Sequence, residues 1–268
     1  MMNQSFKVAL MMGGILLFHG CAKVPITGRS QMNLVGESQL MGMAATEYSS
    51  FLSSNPPMAA SDARVKQVRS IGDRLAVAAA QYLADNGASD RVEGFTWEFN
   101  VVNDNSVNAW CMPGGKVVVY TGILPVTQNE AGLAVVMGHE IAHAIARHGN
   151  ERMSQGIALQ GAGMTLDVLT SQKPGLARDL FMQSVGIGGQ LGMLKYSRTH
   201  ETEADKMGLV FMAIAGYDPR EAPQFWQRMS QQGGGQAPPE LLSTHPSDET
   251  RMSDLEAYMP EALKYYKP

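Results

Sequence analysis

Cysteine is nearly absent from the sequence, and so is any excess of basic charge. Two cysteines, Cys21 and Cys111, occur among 268 residues, which excludes a small scaffold stapled by disulfides. Lys and Arg number 21 against 25 Asp and Glu, for a formal charge of −4, so nucleic acid is not expected as a partner. Hydrophobic residues make up 44% and charged residues 17%, which excludes a disordered chain and predicts a globular domain.

Long apolar runs are also missing after the first twenty residues. The nearest candidate, residues 157–169, is interrupted by Asp167 and is shorter than the roughly 18 residues that a spanning helix needs. We expect a packed helix there. Residues 231–240 are rich in Gly and Pro and predict a flexible loop, and no internal repeat is present.

The first twenty residues have the pattern of a leader peptide. Lys7 is the only charge, residues 8–18 are apolar, and the small Gly20 precedes Cys21 in a sequence that resembles a lipobox. We therefore predict a lipoprotein signal peptide over 1–20 and a lipid on Cys21. The alternative is an ordinary secretory leader in which Cys21 is incidental.

A lipid on the cysteine would attach the protein to a membrane, because each buried methylene adds about 0.8 kcal/mol. Ala22 stands where an Asp would tend to retain a bacterial lipoprotein in the inner membrane, so the expected location is the outer membrane, facing the periplasm. The rest, 21–268, is expected to be one domain, whose first residues, 21–35, form a tether.

Hydrophobic periodicity predicts an α+β fold that is mostly helical. Apolar residues at helical spacing predict two early helices, and alternation then predicts three short strands, expected to be antiparallel. From residue 125 onward the patterns are helical. The predicted helices cover 36–54 and 61–84, and the predicted strands cover 95–101, 107–112 and 116–120.

A zinc-binding motif follows the predicted sheet. Thr127 and Glu130 have capping-box spacing, which predicts a helix that begins at Thr127. Within it, His139 and His143 lie four residues apart on one face, so both imidazoles can reach one ion. Glu140 lies one position round the helix, where its carboxylate can take a proton from a water. The motif predicts one Zn²⁺ per chain.

A catalytic zinc site needs a third protein ligand, and two downstream glutamates compete for that role. Helical angles do not separate Glu201 from Glu203, since each lies about 80° from the centre of the apolar stripe at 100° per residue. Small residues such as Gly208 lie on the flank of Glu201, where another helix can approach, so we predict Glu201 as the ligand. Asp205, on the same side, is placed to orient a metal-bound histidine. The alternative is a pair of solvated glutamates at a helix N-terminus.

These motifs resemble those of the gluzincin zinc metallopeptidases, the family of CAAX prenyl endopeptidases and HtpX-type heat-shock proteases. The sequence from Val24 to Arg29 resembles the bacterial periplasmic lipoprotein branch, which includes the outer-membrane beta-barrel assembly-enhancing protease, without that protein's repeat domain. The resemblance implies a gluzincin-like domain with a small sheet beside the active-site helix. It also implies that the strand around Asn108 and Ala109 pairs with an extended peptide.

The resemblance further places His245 and Arg251 at the cleft. His245 would support a developing oxyanion or cover the metal in a resting state, and the alternative is a structural histidine before a helix. We interpret His148 and His200 as bystanders. His148 lies five residues past His143 and points off the ligand face, and the alternative for His200 is a substitute ligand.

The expected function is a zinc metalloendopeptidase that cleaves misfolded or stalled envelope proteins. Zinc would activate a water, and Glu140 would take its proton and pass it to the leaving amine. The resemblance also implies outer-membrane assembly machinery as a partner. The alternatives are a zinc-binding chaperone or interaction lipoprotein with a latent protease site, and a structural lipoprotein with a vestigial one.

Overall fold

The computed structural model describes residues 21–161, 163–187, 196–232, 240–245 and 249–267. The predicted leader peptide and most of the predicted loop over 231–240 lie outside the described residues, and the side chain of Cys21 is not described either. Among the described helices, none combines the length and the apolar character that crossing a membrane requires.

Helices account for most of the described chain, as the sequence predicts. The two early helices are confirmed, with bounds within two residues of those expected. We number the helices in chain order as α1 Glu37–Ser54, α2 Ala63–Asp85, α3 Leu124–Thr127, α4 Glu130–Ile145, α5 His148–Leu159, α6 Leu166–Gln172, α7 Pro174–Ser184, α8 Arg198–Ile214, α9 Glu221–Gln231, α10 Glu240–Thr244 and α11 Glu249–Ala262.

The prediction of one packed helix over 157–169 is wrong. Helix α5 ends at Leu159 and α6 begins at Leu166. Gly161 and Gly163 separate them with φ angles of 117° and 85°, a backbone region that glycine adopts without steric cost and that ends a right-handed helix. Periodicity alone does not detect such a break between two apolar segments.

A three-stranded sheet lies beside α4, but it is mixed and not antiparallel as predicted. Its strands are β3 Glu98–Val102, β4 Ala109–Met112 and β5 Lys116–Tyr120, in the order β3-β5-β4. Strands β4 and β5 form an antiparallel hairpin, whereas β3 pairs with β5 in parallel. The connection after β3 carries the chain past the position of β5, which then inserts between the other two. Alternation of polar and apolar residues predicts which face of a strand is buried. It does not predict which other strands pair with it.

The N-terminal segment, assigned as a tether over 21–35, is folded against the domain. Strands β1, Cys21–Lys23, and β2, Ser30–Met32, form an antiparallel pair. Val24 between them is buried in the main core. The segment therefore contributes contacts to the domain from its first described residues.

Helix α4 begins three residues later than predicted. Asn129 is its N-cap and accepts a hydrogen bond from the backbone N–H of Gly132 at 2.8 Å. Thr127 instead closes α3, where its hydroxyl donates to the carbonyl of Leu124. The capping-box prediction at Thr127 is thus wrong, because the short preceding helix occupies that residue.

Helices α4 and α8 cross at two glycines. A Cβ atom on Gly208 would lie 3.1 Å from the backbone nitrogen of His139, and one on Gly138 would lie 3.3 Å from the carbonyl oxygen of Gly208. The two backbones touch here, since no side chain separates them. The main core lies between α2, α4, α8 and one face of the sheet, and a smaller apolar cluster lies between the other face and α1.

Candidate active site

Four buried side chains from three separate segments converge on one point. His139 and His143 come from α4, Glu201 comes from the first turn of α8, and His245 follows α10. One donor atom from each lies within 4.8 Å of all the others. The Nε2 atoms of His139 and His143 are 3.0 Å apart, and they lie 3.4 Å from Oε2 and from Oε1 of Glu201, respectively.

This donor set fits zinc in chemistry and in size. Imidazole nitrogens and a carboxylate oxygen are zinc ligands, and bonds of 2.0–2.1 Å in a tetrahedral site place neighbouring ligand atoms roughly 3.3 Å apart. The separations of 3.0–3.4 Å match that spacing. The residues could therefore hold one Zn²⁺.

His245 lies inside the donor set, although the sequence left its role open. Its Nδ1 lies 3.2 Å from Nε2 of His139 and 3.0 Å from Oε1 of Glu201. The ring of Tyr196 stacks on the imidazole, with centroids 4.7 Å apart and planes at 27°. Its other nitrogen lies 3.6 Å from Oε1 of Glu140. The geometry makes His245 a candidate fourth donor, held in place by an aromatic ring.

Glu140 lies beside the donor set and has a free acceptor atom. Its side chain is 4% exposed, and Oε1 has no hydrogen-bond partner within the described part of the chain. Burial raises the pKa of this carboxyl above its usual range, against the opposing charges of His245 and His139. A buried carboxylate with a raised pKa and an open lone pair is suited to accept a proton near neutral pH.

Asp205 and Arg251 form a charged support behind His139. The Nδ1–H of His139 donates to Oδ1 of Asp205 at 2.9 Å, which leaves Nε2 free to bind a metal. Arg251 donates to both oxygens of Asp205 at 2.8 Å, lies 3.0 Å from Glu201, and covers the ring of Trp226. Burial lowers the pKa of His139, but the hydrogen bonds with Asp205 and Glu201 outweigh it and raise that pKa to about 9.

Glu201 carries its negative charge despite being buried. Burial raises its pKa, but the positive charges of His245 and Arg251, together with the two α4 histidines beside the carboxylate, bring that pKa well below its usual range. The carboxylate is therefore ionised and available as a ligand. Glu203, its competitor in the sequence, points away from the donor set and bonds His148 and Arg29.

His148 contacts a member of the site, contrary to its treatment as a bystander. Its Nδ1 lies 2.9 Å from Nδ1 of His143, and its Nε2 lies 3.0 Å from Oε2 of Glu203. Arg147, with φ at 60° in the left-handed region, interrupts the helical path between α4 and α5. A helical wheel continued past Arg147 therefore places His148 on the wrong face, and a left-handed Arg leaves no signal in the sequence. His200 bonds Glu151 at 3.1 Å and none of the four donors.

Asn108 and Ala109 lie at the start of the edge strand β4. Strand β4 pairs only with β5 within the described part of the chain. The carbonyl of Asn108 accepts a hydrogen bond from the N–H of Tyr120 on β5. Because the backbone N–H and C=O groups of successive strand residues point in opposite directions, those of Ala109 and Cys111 point away from β5. The side chain of Asn108 caps the N–H of Ala109 at 2.9 Å.

Comparison with known proteins agrees with the geometry. The model of Peptidase family M48 matches residues 62–259, which include all four donors. The mitochondrial metalloendopeptidase OMA1 of Saccharomyces cerevisiae is 30% identical over 97% of this chain and 76% of its own length. OMA1 of Schizosaccharomyces pombe is 34% identical over 93% of this chain and 70% of its own length.

A bacterial relative is also similar. The beta-barrel assembly-enhancing protease of Yersinia pestis is 29% identical over 85% of this chain, which spans about half of that relative's length. The matched family, the yeast relatives and the buried donor set beside Glu140 agree with one another. The chain therefore belongs to peptidase family M48 and is a zinc-dependent metalloendopeptidase.

Proposed function

We propose that the protein is a lipid-anchored endopeptidase of the bacterial cell envelope that cleaves misfolded or stalled envelope proteins. The observation that carries its peptidase role is the buried carboxylate of Glu140 beside four side chains that could bind a metal. One oxygen of this carboxylate has no hydrogen-bond partner among the residues that the structure describes. Its location and substrates are supported by the leader-like segment before Cys21 and by the similarity to the beta-barrel assembly-enhancing protease.

In this proposal His139, His143 and Glu201 hold one zinc ion. Zinc in such a site polarises a carbonyl and lowers the pKa of a water to about 7. Asp205 keeps His139 in the tautomer that presents Nε2, and Arg251 holds both Asp205 and Glu201 in place. A displaced ligand would misalign the reacting groups, so these two residues position the site without touching substrate.

Glu140 moves the proton. Its open Oε1 accepts a proton from the attacking water, and the protonated carboxyl then donates it to the nitrogen of the leaving amine. The raised pKa of Glu140 favours both steps. A more acidic carboxyl would be a weaker base toward the water, and it would lose the proton before the amine could receive it.

An extended substrate would bind as a further strand on β4. The outward carbonyl of Ala109 and the outward backbone groups of Cys111 would pair with the peptide main chain, which every unfolded protein offers. Main-chain recognition suits a protease of misfolded proteins, since it demands little of the substrate sequence.

The activity is tested by digesting an unfolded outer-membrane protein and its folded form with the purified protein. We expect cleavage of the unfolded form that a zinc chelator abolishes and that added zinc restores. Cleavage that persists in chelator, or equal cleavage of both forms, would contradict the proposal.

The anchor is tested separately by metabolic labelling with palmitate in a bacterial host. The natural chain should be labelled and should fractionate with the outer membrane, and Cys21→Ala should lose both properties. Cys111→Ala is the matched control, because Cys111 is buried in the domain and cannot carry a lipid. An unlabelled natural chain would refute the anchor and leave the peptidase function untouched.

A specific observation favours a second candidate, a latent protease or zinc-binding interaction lipoprotein. Catalytic zinc sites keep one position open, whereas His245 adds a fourth donor to this set. The N–H of Leu241 also donates to the carbonyl of Val107, just before the edge strand. His245→Ala distinguishes the candidates: faster cleavage of the unfolded protein identifies latency, and slower cleavage identifies a catalytic role for His245.

A further inference from the structure

A buried polar chain connects the N-terminal segment to the far side of the metal site. Arg29, between β1 and β2, donates to both oxygens of Glu203 at 2.8 and 2.9 Å and to both oxygens of Glu151 at 2.8 and 2.7 Å. The hydroxyl of Thr27 donates to Glu203 at 2.8 Å. Both carboxylates are buried, and this single guanidinium bonds to both of them, which lowers the cost of burying their charges.

Two branches leave this arginine, and only one reaches a metal-binding residue. Glu203 bonds His148, which bonds His143, one of the four donors. Glu151 bonds His200, which makes no hydrogen bond to any of the four within the described residues. Each branch runs from Arg29 through a buried glutamate to a histidine. They differ in that only the branch through Glu203 reaches a metal-binding residue.

We propose that Thr27, Arg29, Glu203 and His148 are positioning residues that fix the tautomer and orientation of His143 for zinc. The inference rests on the assignment of His143 as a zinc ligand. It concerns metal binding only and is independent of any substrate.

Hydrogen-bond direction carries the argument. Glu203 accepts hydrogen bonds from Thr27 and from two nitrogens of Arg29. An ionised carboxylate can only accept, so Nε2 of His148 must donate its hydrogen to Glu203. A neutral imidazole with its proton on Nε2 has only an acceptor at Nδ1. His143 must therefore donate from its own Nδ1–H, and its Nε2 faces the donor set as a bare lone pair.

The same reasoning predicts what Glu203→Gln does. Thr27 and the Nε–H of Arg29 both donate to Oε1, so the amide oxygen of Gln takes that place and its NH₂ group faces His148. His148 then accepts at Nε2 and donates from Nδ1, and His143 must accept at Nδ1. Its proton moves to Nε2, where it competes with the metal.

The experiment compares the zinc affinities of Glu203→Gln and Glu151→Gln, measured by competition with a chromophoric chelator. We expect Glu203→Gln to bind zinc about 10–100-fold more weakly than the natural chain, the effect typical of losing a partner behind a metal-bound histidine. Glu151→Gln removes the sister carboxylate from the same arginine and should stay within about threefold of the natural chain. The ligand-field absorption of the cobalt(II)-substituted protein should change only in Glu203→Gln.

Equal zinc affinities in the two variants, whether both weakened or both unchanged, would overturn the inference, because a purely structural role makes the branches equivalent. Should Glu203→Gln fail to fold, Thr27→Val replaces it. Thr27 is exposed, and the substitution removes its bond to Glu203 and a long bond of 3.5 Å from the backbone N–H of Arg29. A severalfold loss of zinc affinity supports the inference, and an unchanged affinity overturns it. Failure would leave the peptidase function standing, since no substrate enters the measurement.

Discussion

Glu140 illustrates how much a residue depends on its surroundings. On an exposed helix its carboxyl would have the ordinary, lower pKa of a glutamate and would accept protons less readily. Here burial raises its pKa, and Oε1 has no hydrogen-bond partner among the described residues. The same side chain is thereby converted into a base that can work near neutral pH.

Glu140→Gln should therefore abolish hydrolysis while preserving metal binding. The amide keeps the size of the side chain and cannot accept the proton, so we expect the rate to fall by about 10²–10⁴-fold. Metal analysis of the purified variant should still find one zinc per chain. Glu130→Gln, an exposed change on the same helix, is the control and should retain full activity. A hydrolytically competent Gln variant would show that another group acts as the base.

Individual residues also mark the limit of sequence reasoning. The spacing of His139 and His143 predicts one shared face, and the small flank near Gly208 predicts which glutamate turns toward them. His148 was missed, because the left-handed conformation of Arg147 redirects the chain and no residue type there announces it. His245 depends on the path of a connection that local periodicity does not define.

The ionised carboxylate of Glu203 should stabilise the fold, and acid should remove this stabilisation by protonating it. The folded pKa of this carboxyl is lowered to about 2, although burial alone would raise it, because of hydrogen bonds from His148 and Arg29. An unfolded glutamate has a pKa of about 4.3, so the contribution is fully present above that value and is lost as the pH falls toward 2.

The measurement is urea unfolding of the natural chain and of Glu203→Gln, both in chelator, at several pH values. The gap between their free energies of unfolding should be widest at neutral pH and should narrow between pH 5 and about pH 2. A gap that is independent of pH would contradict this assignment.

At the scale of elements, the contact between α4 and α8 fixes the metal site. The two helices supply three of the four donors, and their backbones touch at Gly138 and Gly208. The distance from Glu201 to the α4 histidines is therefore set by residues without side chains. The amphipathic stripe of α8 predicts this contact, whereas the order of the three strands was beyond prediction, since it depends on long-range pairing.

Gly208→Ala should destabilise the domain and weaken zinc binding together. The added methyl would lie 3.1 Å from the backbone nitrogen of His139, and backbone yields less readily than a flexible side chain. We expect a loss of about 1–3 kcal/mol in the free energy of unfolding, measured in urea, together with a lower zinc affinity.

Gly42→Ala is the matched control for this change. Gly42 lies inside α1 with open space around the position of its Cβ, so alanine should raise the stability by about 0.5–1 kcal/mol and leave zinc affinity unchanged. Equal effects of the two substitutions would contradict a special role for the contact at Gly208.

At the scale of the whole molecule, a bound metal would link segments that are far apart in sequence. The donors lie at residues 139, 143, 201 and 245, so one ion closes two long loops of the chain. A ligand that binds only the folded state stabilises it in proportion to its affinity. Zinc should therefore contribute to global stability as well as to catalysis.

Chelation should lower the melting temperature of the natural chain. Free zinc at about a hundred times its dissociation constant contributes about 2.7 kcal/mol, which corresponds to roughly 5–10 °C for a domain of this size. Differential scanning calorimetry with and without chelator measures the difference. His139→Ala should show no response to the chelator, and an equal response in both proteins would show that the metal acts elsewhere.

The docking of Arg29 onto Glu151 and Glu203 has a consequence for biosynthesis. A ribosome releases Arg29 well over a hundred residues before either carboxylate, and His245 later still. A nascent or truncated fragment thus lacks either the support for His143 or the complete set of donors. The order of synthesis itself would delay zinc binding, and with it proteolysis, until the ribosome has made α8 and so supplied Glu201.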